Sequence, residues 1–370
     1  MASTADYIRD LTTLGYRFKY NDVTDRIEVN GQPITDVLQA KIRAEMRDLR
    51  HKQMTAIEDA YTAHAWSNCY HPVKDYFAAL SWDGQPHIDR LAGYFTDRHG
   101  AFGMYLRRWF IGAVARTYEN ARNFMLVLDG AQYIGKSRFV SWLCPKSLGA
   151  YFHEGPLNTD DKDTWIRLTS TFIWELSELD ATTKKSDRAA LKDFITRQNV
   201  TIRRPYARHD MHKAALASLV GTINEEGPGF LNDPTGNTRF AVVNLTNIDF
   251  GYTAIDIDQC WAEAYTAYQA GEQWELTAAE RAQQALINNE YELELPLEGM
   301  LLKYYDLVPN GPGWVGGTEI IVDLETLGLK GLQHASLSEL GRIMKRAGIE
   351  RRRKGQIWGY VGVTRRAGVI

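Results

Sequence analysis

The chain has 370 residues, of which 44% are hydrophobic and 24% are charged, a composition typical of globular proteins and unlike that of disordered or fibrous ones. Its net charge of −3 excludes a uniformly basic nucleic-acid binder, and because no apolar run reaches 18 residues no membrane span is expected. Cys69, Cys144 and Cys260 are too few and too far apart for a disulfide framework or a zinc site, which favours a reducing compartment.

The first 120 residues are predicted to be mostly helical, with one short β element and no secretory signal at the start. The segment RFKYNDVTDRIEVNG alternates apolar and polar residues, and its Asn30-Gly31 pair is typical of a hairpin. VLQAKIRAEMRDLRHKQMTAIEDAYTAHA has the spacing of an amphipathic helix, and further helices are predicted between His71 and Glu119. We therefore expect a small α+β region over residues 1–70 and a helical collar or lid over residues 71–120.

Beyond Asn123 short apolar runs alternate with helical segments, in the order FMLVLD, KSRFVSWL, TFIWEL, DRAALKDFITRQ, VTIRR, ALASLVGTIN and TRFAVVNL. This alternation is typical of an α/β fold with a buried sheet, which we expect over residues 121–255. Residues 256–296 are predicted to be helical. Residues 297–370 combine strands, glycine-rich turns and a helix, SLSELGRIMKRAG, followed by a hairpin, QIWGYVGVTR, a pattern that resembles a winged helix.

The stretch GAQYIGKS lies between the apolar strand FMLVLD and a predicted helix that ends before Pro145. This is the spacing of a phosphate loop in its strand–loop–helix setting. Backbone N–H groups of such a loop bind phosphate oxygens, its lysine neutralises the β- and γ-phosphates, and its serine holds Mg²⁺. ATP and Mg²⁺ are therefore the expected cofactors. The predicted nucleotide-binding residues are Gly130, Ala131, Gln132, Tyr133, Ile134, Gly135, Lys136, Ser137 and Arg138.

The segment TFIWELSELD places acidic residues at the end of another apolar strand. A phosphate-loop ATPase needs a carboxylate on a neighbouring strand to position Mg²⁺ and to activate water. Glu175 is assigned to the metal shell together with Ser137, and Glu178 is assigned to the catalytic carboxylate. The reverse assignment of the two glutamates stays open, and a solvated strand end is the structural alternative.

These motifs, followed by LKDFITRQNVTIRRPYARHDMHKAALASLVGTINEEG and DPTGNTRFAVV, resemble in their order the virulence-associated protein E family of phage and mobile-element ATPases. The resemblance covers about residues 71–258. Members look like superfamily 3 helicases, which are rings that move along single-stranded DNA. The resemblance implies an α/β P-loop ATPase core of the superfamily 3 or AAA+ type, a homo-oligomer expected to be a hexamer, and the cytoplasm of a bacterial host cell.

The resemblance also implies roles for two further residues. Asn224 would be the polar sensor of the γ-phosphate or of its attacking water, since an amide both donates and accepts. Arg239 would be an arginine finger that reaches into the ATP site of the neighbouring subunit. The family often shows two consecutive arginines here, whereas this sequence has Thr238 and then Arg239. A strand-end turn for Asn224 and an ion pair of Arg239 with Asp233 are the alternatives.

In superfamily 3 rings the region before the sensor strand forms a hairpin that lines the pore. Here it is the segment IRRPYARHDMHKAA, whose positive charge suits contacts with the phosphates of single-stranded DNA. A solvated hairpin tip is the alternative. The predicted DNA contacts of this hairpin are Arg203, Arg204, Arg208, His209, His212 and Lys213.

The C-terminal end is strongly basic, with nine basic residues and one acidic residue between Arg342 and Arg366. We expect a winged-helix-like domain that binds duplex DNA, with its helix in the major groove. A surface that only aids solubility is the alternative. The cations expected on the DNA backbone are Arg351, Arg352, Arg353 and Lys354.

The sequence thus predicts a ring-forming, Mg²⁺- and ATP-dependent DNA helicase of phage or mobile-element replication, with any primase on a separate protein. The main alternative is a DNA-binding initiator or loader in which ATP is a switch and processive unwinding is absent. A third hypothesis is a P-loop ATPase or small-molecule kinase that does not act on DNA, and a fourth is an interference factor of a mobile element.

Overall fold

The computed structural model describes residues 2–158, 161–177, 179, 185–203, 210–224, 231, 237–291, 296–326 and 336–366. Its contacts divide the chain into two units. The first comprises Met1–Gly227 and Thr238–Asn288, and the second comprises Pro228–Asn237 and Asn289–Ile370. The finer division into five regions stays a prediction.

The first unit begins with a small α+β module. Its elements are α1 (Thr4–Thr13), β1 (Phe18–Asn21), β2 (Arg26–Val29), β3 (Gln32–Pro33), α2 (Asp36–Asp48), α3 (Met54–Ser67) and β4 (Cys69–Tyr70). The predicted Asn30-Gly31 hairpin is present, because both residues have positive φ and join β2 to β3. The single predicted helix is wrong: the chain turns at Arg50, whose φ is +66°, so that α2 and α3 both bury apolar residues in one core.

The chain then enters a helical segment that leads to the main sheet. It contains α4 (Pro72–Ala79), α5 (His87–Ala92), β5 (Phe95–Asp97) and α6 (Phe102–Glu119). Most of α6 is buried, in keeping with its nearly continuous apolar sequence, and the helix ends at Asn120 in the left-handed conformation. The buried indole of Trp109 donates a hydrogen bond to the Leu219 carbonyl oxygen at 3.1 Å, which fixes α6 on the sheet.

The main sheet has six strands in the order β5-β12-β6-β11-β8-β7. From β12 to β7 all neighbouring strands are parallel, and β5 is an antiparallel edge strand. The elements of this part of the chain, both in the sheet and around it, are β6 (Met125–Asp129), α7 (Lys136–Leu143), β7 (Phe152–Glu154), α8 (Lys162–Ser170), β8 (Ile173–Leu176), α9 (Lys185–Thr196), β9 (Asn199–Ile202), β10 (Met211–Ala214), β11 (Ser218–Thr222) and β12 (Phe240–Ile248).

Burial explains why these strands are nearly continuous apolar runs. Every residue of β6, β8 and β11 is buried, as expected for parallel strands covered by helices on both faces. Two helices, α10 (Ile257–Gln269) and α11 (Ala278–Asn289), complete the unit. The structure therefore confirms a mixed α/β fold and brings the carboxyl ends of β6, β8 and β11 to one edge of the sheet.

The second unit has its own core, built around Leu301, Ile320, Leu340 and Tyr360. The strands form two small antiparallel sheets, β13-β17 and β14-β16-β15. Its elements are α12 (Pro296–Tyr304), β13 (Tyr305–Leu307), β14 (Trp314–Gly316), α13 (Gly317–Thr326), α14 (Ser336–Arg346), β15 (Arg351–Lys354), β16 (Ile357–Val361) and β17 (Val363–Arg365). Across the described parts of both units, no helix has the length and hydropathy needed to cross a bilayer.

Candidate nucleotide-binding site

The loop between β6 and α7 has the backbone that the phosphate-loop spacing predicts. Gly130 has φ +150°, and a Cβ there would lie 2.5 Å from the Leu245 carbonyl oxygen. Gly135 has φ +107°, and a Cβ there would lie 2.8 Å from the Phe250 ring. Both positions therefore require glycine. Because the loop ends at the first turn of α7, the N–H groups of that turn are available to an anion.

Lys136 is buried at the centre of this loop. Its Nζ donates to the carbonyl oxygens of Gly130 at 2.6 Å and Ala131 at 2.9 Å, and to Asn224 Oδ1 at 3.4 Å. Asn224 lies just beyond the carboxyl end of β11. Lys136 and Asn224, which were predicted to belong to one site, are 88 positions apart in the sequence and are in contact in the structure. The contact arises because β11 and β6 are neighbouring strands.

The remaining loop residues complete the turn. Tyr133 has φ +68° and a side chain that is 91% exposed, an unusual conformation for a residue with a Cβ. Ser137 and Arg138 are exposed in the first turn of α7, and Gln132 and Tyr133 are exposed in the loop.

Glu175 is fully buried in β8, yet neither carboxylate oxygen has a hydrogen-bond partner among the described residues. Burial raises the pKa of this carboxyl, the Glu154 carboxylate raises it further, and the hydroxyls of Ser137 and Thr222 offset part of the rise. Those two hydroxyls are thus near Glu175 without meeting hydrogen-bond geometry. A buried carboxylate without a donor is costly, so its presence indicates a site that a cation or a ligand completes.

These residues fit Mg²⁺. The Glu175 carboxylate and the Ser137 hydroxyl are both oxygen ligands of the kind that Mg²⁺ prefers, and the buried carboxylate lacks a donor. Among the described residues no group of three or more His, Cys, Asp and Glu side chains forms an all-protein metal cage. One carboxylate with phosphate oxygens and waters is the usual magnesium arrangement in nucleotide sites. Glu178, the other predicted acid, lies outside the described residues.

Two polar groups of this edge were missed by the sequence reasoning. Asp129, the last residue of β6, is buried and accepts a 2.7 Å hydrogen bond from Asn244 of β12. Glu154 of β7 lies opposite Glu175 in the parallel register. The acid that ends FMLVLD was a visible signal for Asp129, whereas nothing local marks Glu154, because β7 has only three residues.

Arg239 lies at the amino ends of the parallel strands, opposite the carboxyl ends that carry the loop. It ends the 3-10 turn Asn237–Arg239, directly before β12, whose first residue Phe240 pairs with Met125 at the start of β6. The length of β6, about 13 Å at 3.3 Å per residue, therefore separates Arg239 from the loop of its own chain. Its Nε atom is buried and has no hydrogen-bond partner among the described residues.

The predicted DNA hairpin has a regular antiparallel base formed by β9 and β10. Arg203 is exposed and donates to Asp210 at 2.7 Å, and the exposed His212 contacts Thr201 Oγ1 at 2.8 Å. Lys213 instead points to the N-terminal module, where its Nζ donates to the Val23 carbonyl oxygen and to Asp25. Arg204, Arg208 and His209 lie outside the described residues.

The four C-terminal cations form the exposed strand β15, which pairs with β16. The guanidinium groups of Arg351 and Arg353 lie 4.8 and 5.9 Å from the centre of the Trp358 ring. Lys354 lies 4.9 Å from the centre of Trp314, and Arg352 pairs with Glu350 at 2.9 Å. Cations close to the exposed Trp358 ring and the half-buried Trp314 ring make this strand a concentrated positive surface.

The fold and this end of the sheet define an α/β protein in which a glycine-bounded strand–loop–helix turn lies beside a buried acid. A family model, the virulence-associated protein E-like domain, matches residues 77–293, and the chain belongs to that family. The matched range begins within α4 and ends just after α11, and so contains the whole main sheet.

Solved structures of similar fold include three of the NrS-1 C-terminal region. An A form apo structure of its residues 305–718 is 14% identical with a TM-score of 0.53, and another apo structure of that range is 12% identical with a TM-score of 0.51; each match covers 98% of this chain and 100% of the other. A further A form apo structure is 15% identical over 96% of this chain and 98% of the other, with a TM-score of 0.50. At these identities the likeness concerns the fold alone. No curated protein matches the chain.

Proposed function

We propose that this protein is an ATP-dependent, ring-forming DNA motor that translocates on single-stranded DNA in phage or mobile-element replication. The observation that carries the proposal is the buried Glu175 carboxylate without a donor, next to Ser137 at the end of a glycine-bounded loop. An ATPase site needs an anion cradle, a cation and a metal-holding carboxylate close together.

The residues predicted for the nucleotide site each have a chemical task in that mechanism. The N–H groups of the loop and of the first turn of α7 bind the phosphate oxygens. The ammonium group of Lys136, which now donates to the carbonyl oxygens of the loop, donates to the β- and γ-phosphates instead when the nucleotide is bound. Ser137 and Glu175 hold Mg²⁺, which neutralises phosphate charge when bound. Asn224 contacts the γ-phosphate or the attacking water, and Glu178 is proposed as the catalytic carboxylate.

A ring supplies what one chain lacks. Because Arg239 lies at the amino edge of the sheet, it is too far from its own loop to contact the same ATP. We propose that it completes the site of a neighbouring subunit, which makes hydrolysis depend on assembly. A hexamer is the proposed ring, and any primase would be a separate partner.

DNA contact is proposed for the β9–β10 hairpin, through Arg203 and His212 together with Arg204, Arg208 and His209. The hairpin leads directly into β11, which ends beside Asn224, so one strand connects the two places. Lys213 would touch DNA only after leaving Asp25. The C-terminal strand β15 is the proposed duplex contact.

A second candidate function is an ATP-switched initiator or loader without processive unwinding. The exposed cations of β15 on Trp358 favour it, because they form a positive surface in a unit with its own core. Its mark would be tight duplex binding together with slow hydrolysis.

The test is the ATP hydrolysis rate with and without single-stranded DNA, beside a Lys136→Ala control. We expect clear stimulation by DNA that disappears in the control, because phosphate binding depends on Lys136. A hydrolysis rate that DNA does not change would contradict the proposed DNA motor and favour an ATPase that does not act on DNA or an ATP-dependent switch. The absence of any hydrolysis that depends on Lys136 would remove the nucleotide site itself.

A further inference from the structure

An exposed aromatic ring lies against the phosphate loop. Phe250 lies two residues after the end of β12, begins the 3-10 turn Phe250–Ala254, and remains 43% exposed. Its Cε1 and Cζ atoms approach Gly135 so closely that a Cβ there would lie 2.8 Å from each. A single exposed phenylalanine is ordinary on a protein surface, but this one borders the residue that precedes Lys136.

The segment that carries Phe250 is held firmly to α7. Tyr252 is fully buried and packs against Phe139 and Trp142 of that helix, with ring centres 5.5 and 5.1 Å apart. The Asp249 carboxylate accepts a hydrogen bond from the Gly251 N–H at 2.8 Å and fixes the start of the turn. The ring of Phe250 therefore has a defined position relative to the phosphate loop, which is what a stacking surface requires.

A cation shares this surface. The exposed guanidinium of Arg138 lies 5.0 Å from the centre of the Phe250 ring. Arg138 is two residues beyond Lys136 on α7, so the loop, the cation and the ring are contiguous. Nucleobases stack on aromatic rings and on guanidinium planes, and such stacking contributes about 1–3 kcal/mol per base.

We propose that Phe250, supported by Arg138, is the surface on which the base of a purine nucleoside triphosphate stacks. This inference rests on the proposed nucleotide site and adds the subsite for the part of the ligand that the phosphate loop does not hold. Stacking depends on the area of the base and not on its exocyclic groups, so we expect ATP and GTP to use the surface alike.

The experiment compares ATP, GTP and inorganic triphosphate as ligands of the full chain in the presence of Mg²⁺. Phe250→Leu keeps an apolar side chain against Gly135 and Tyr252 but removes the aromatic face, and Phe250→Tyr restores that face. We expect Phe250→Leu to weaken both nucleotides by about fivefold or more, the equivalent of about 1 kcal/mol, while inorganic triphosphate binds as in the wild type. Phe250→Tyr should bind nucleotides as the wild type does.

Two outcomes would overturn the subsite. Equal weakening of triphosphate and nucleotides by Phe250→Leu would mean that the ring only shapes Gly135, and unchanged binding of all three ligands would mean that no base stacks there. Lys136→Ala separates the two proposals, because it should weaken all three ligands. If the wild type itself binds neither triphosphate nor nucleotide, the proposed nucleotide site fails and this subsite fails with it.

Discussion

The two edges of the main sheet differ in what they can do alone. At the carboxyl edge, Lys136 and Asn224 already touch, and Glu175 lies buried beside Ser137. At the amino edge stands Arg239, separated from that cluster by the length of β6. The contrast shows that one end of the sheet gathers the residues proposed to bind the nucleotide, whereas the proposed arginine finger lies at the other end, where it could serve only the site of another subunit.

β11 joins the two edges. Its amino end receives the β9–β10 hairpin through three residues, and its carboxyl end leads to Asn224. Every residue of β11 is buried, so the strand cannot shift without disturbing the core on both faces. A displacement of the hairpin by DNA would therefore change the position of the carboxyl end of β11, where ATP is proposed to bind.

The largest effect should come from the amino edge. Arg239→Ala should lower ATP hydrolysis by about 10³-fold or more while leaving ATP binding nearly intact, because an arginine finger stabilises charge only in the transition state. Hydrolysis rates and nucleotide binding measured on the same preparation would check this. Arg122→Ala removes an exposed arginine three residues before β6, at the same end of the sheet, and serves as the control, with no expected loss.

Mixing variants tests whether the two edges meet between subunits. A ring assembled from equal amounts of Arg239→Ala and Lys136→Ala chains has about a quarter of its interfaces intact, so part of the activity should return. Arg239→Ala alone and Lys136→Ala alone should stay inactive. A mixture as inactive as its components would contradict the shared site, and a normally active Arg239→Ala would end the arginine-finger assignment.

The second effect concerns Glu175, whose replacement should lower the rate of hydrolysis but raise the stability of the fold. Glu175→Gln should lower hydrolysis by about 100-fold or more, since metal binding loses its carboxylate. The same variant should raise the free energy of unfolding at neutral pH by about 1–3 kcal/mol, because the buried carboxylate has no donor. Steady-state hydrolysis and denaturant unfolding of both proteins would measure the two changes.

The pH dependence gives the sign of this stability difference. Since burial raises the pKa of Glu175 in the folded chain, its ionisation is disfavoured there, and the cost grows as pH rises from the ordinary carboxyl pKa through the folded value. The advantage of Glu175→Gln should therefore be complete above the folded pKa and vanish below the ordinary one. Glu154→Gln should give a smaller gain over the same pH range, because it removes only the neighbouring charge that raises the pKa of Glu175 and leaves the burial of Glu175 unchanged. A gain equal to that of Glu175→Gln would contradict the account.

The sequence predicted the parts of this molecule that local patterns encode. The apolar runs around Val127, Trp174 and Val220 became the buried parallel strands, and GAQYIGKS became a turn between a strand and a helix. The link between Lys136 and Asn224 came from the family resemblance, which implied a sensor role for Asn224 beside the phosphate loop, and the two residues are in contact. Whether that edge binds ATP stays a prediction that the experiments above address.

The parts that the sequence did not predict depend on distant neighbours. The helix pattern around Arg50 continues without a break in the sequence, and the turn there arises because α2 and α3 share one core. The three-residue strand β7 exists because it pairs with β8. The run Arg351 to Lys354 indicates charge but not shape, and its strand conformation comes from pairing with β16.

The smallest effect concerns Lys213 at the base of the hairpin, on the amino side of β11. Its ammonium group is held by Asp25 at 2.7 Å, and both side chains are largely buried. Lys213→Ala should reduce the stimulation of hydrolysis by single-stranded DNA about fivefold, the equivalent of about 1 kcal/mol for one lost anchoring contact, and should spare basal hydrolysis. Hydrolysis rates over a DNA titration would measure both.

Asp25→Asn decides how Lys213 acts. If the ion pair anchors the hairpin, Asp25→Asn should reproduce the loss of stimulation, and neither variant should change the salt dependence of DNA binding, which counts phosphate contacts. If Lys213 instead leaves Asp25 to bind a phosphate, Lys213→Ala alone should reduce the slope of that dependence by about one contact. We expect the first result, because the ammonium group of Lys213 donates to Asp25 and to the Val23 carbonyl oxygen. Binding of DNA to the hairpin would then affect the proposed ATP site through β11 and not through the Lys213 side chain.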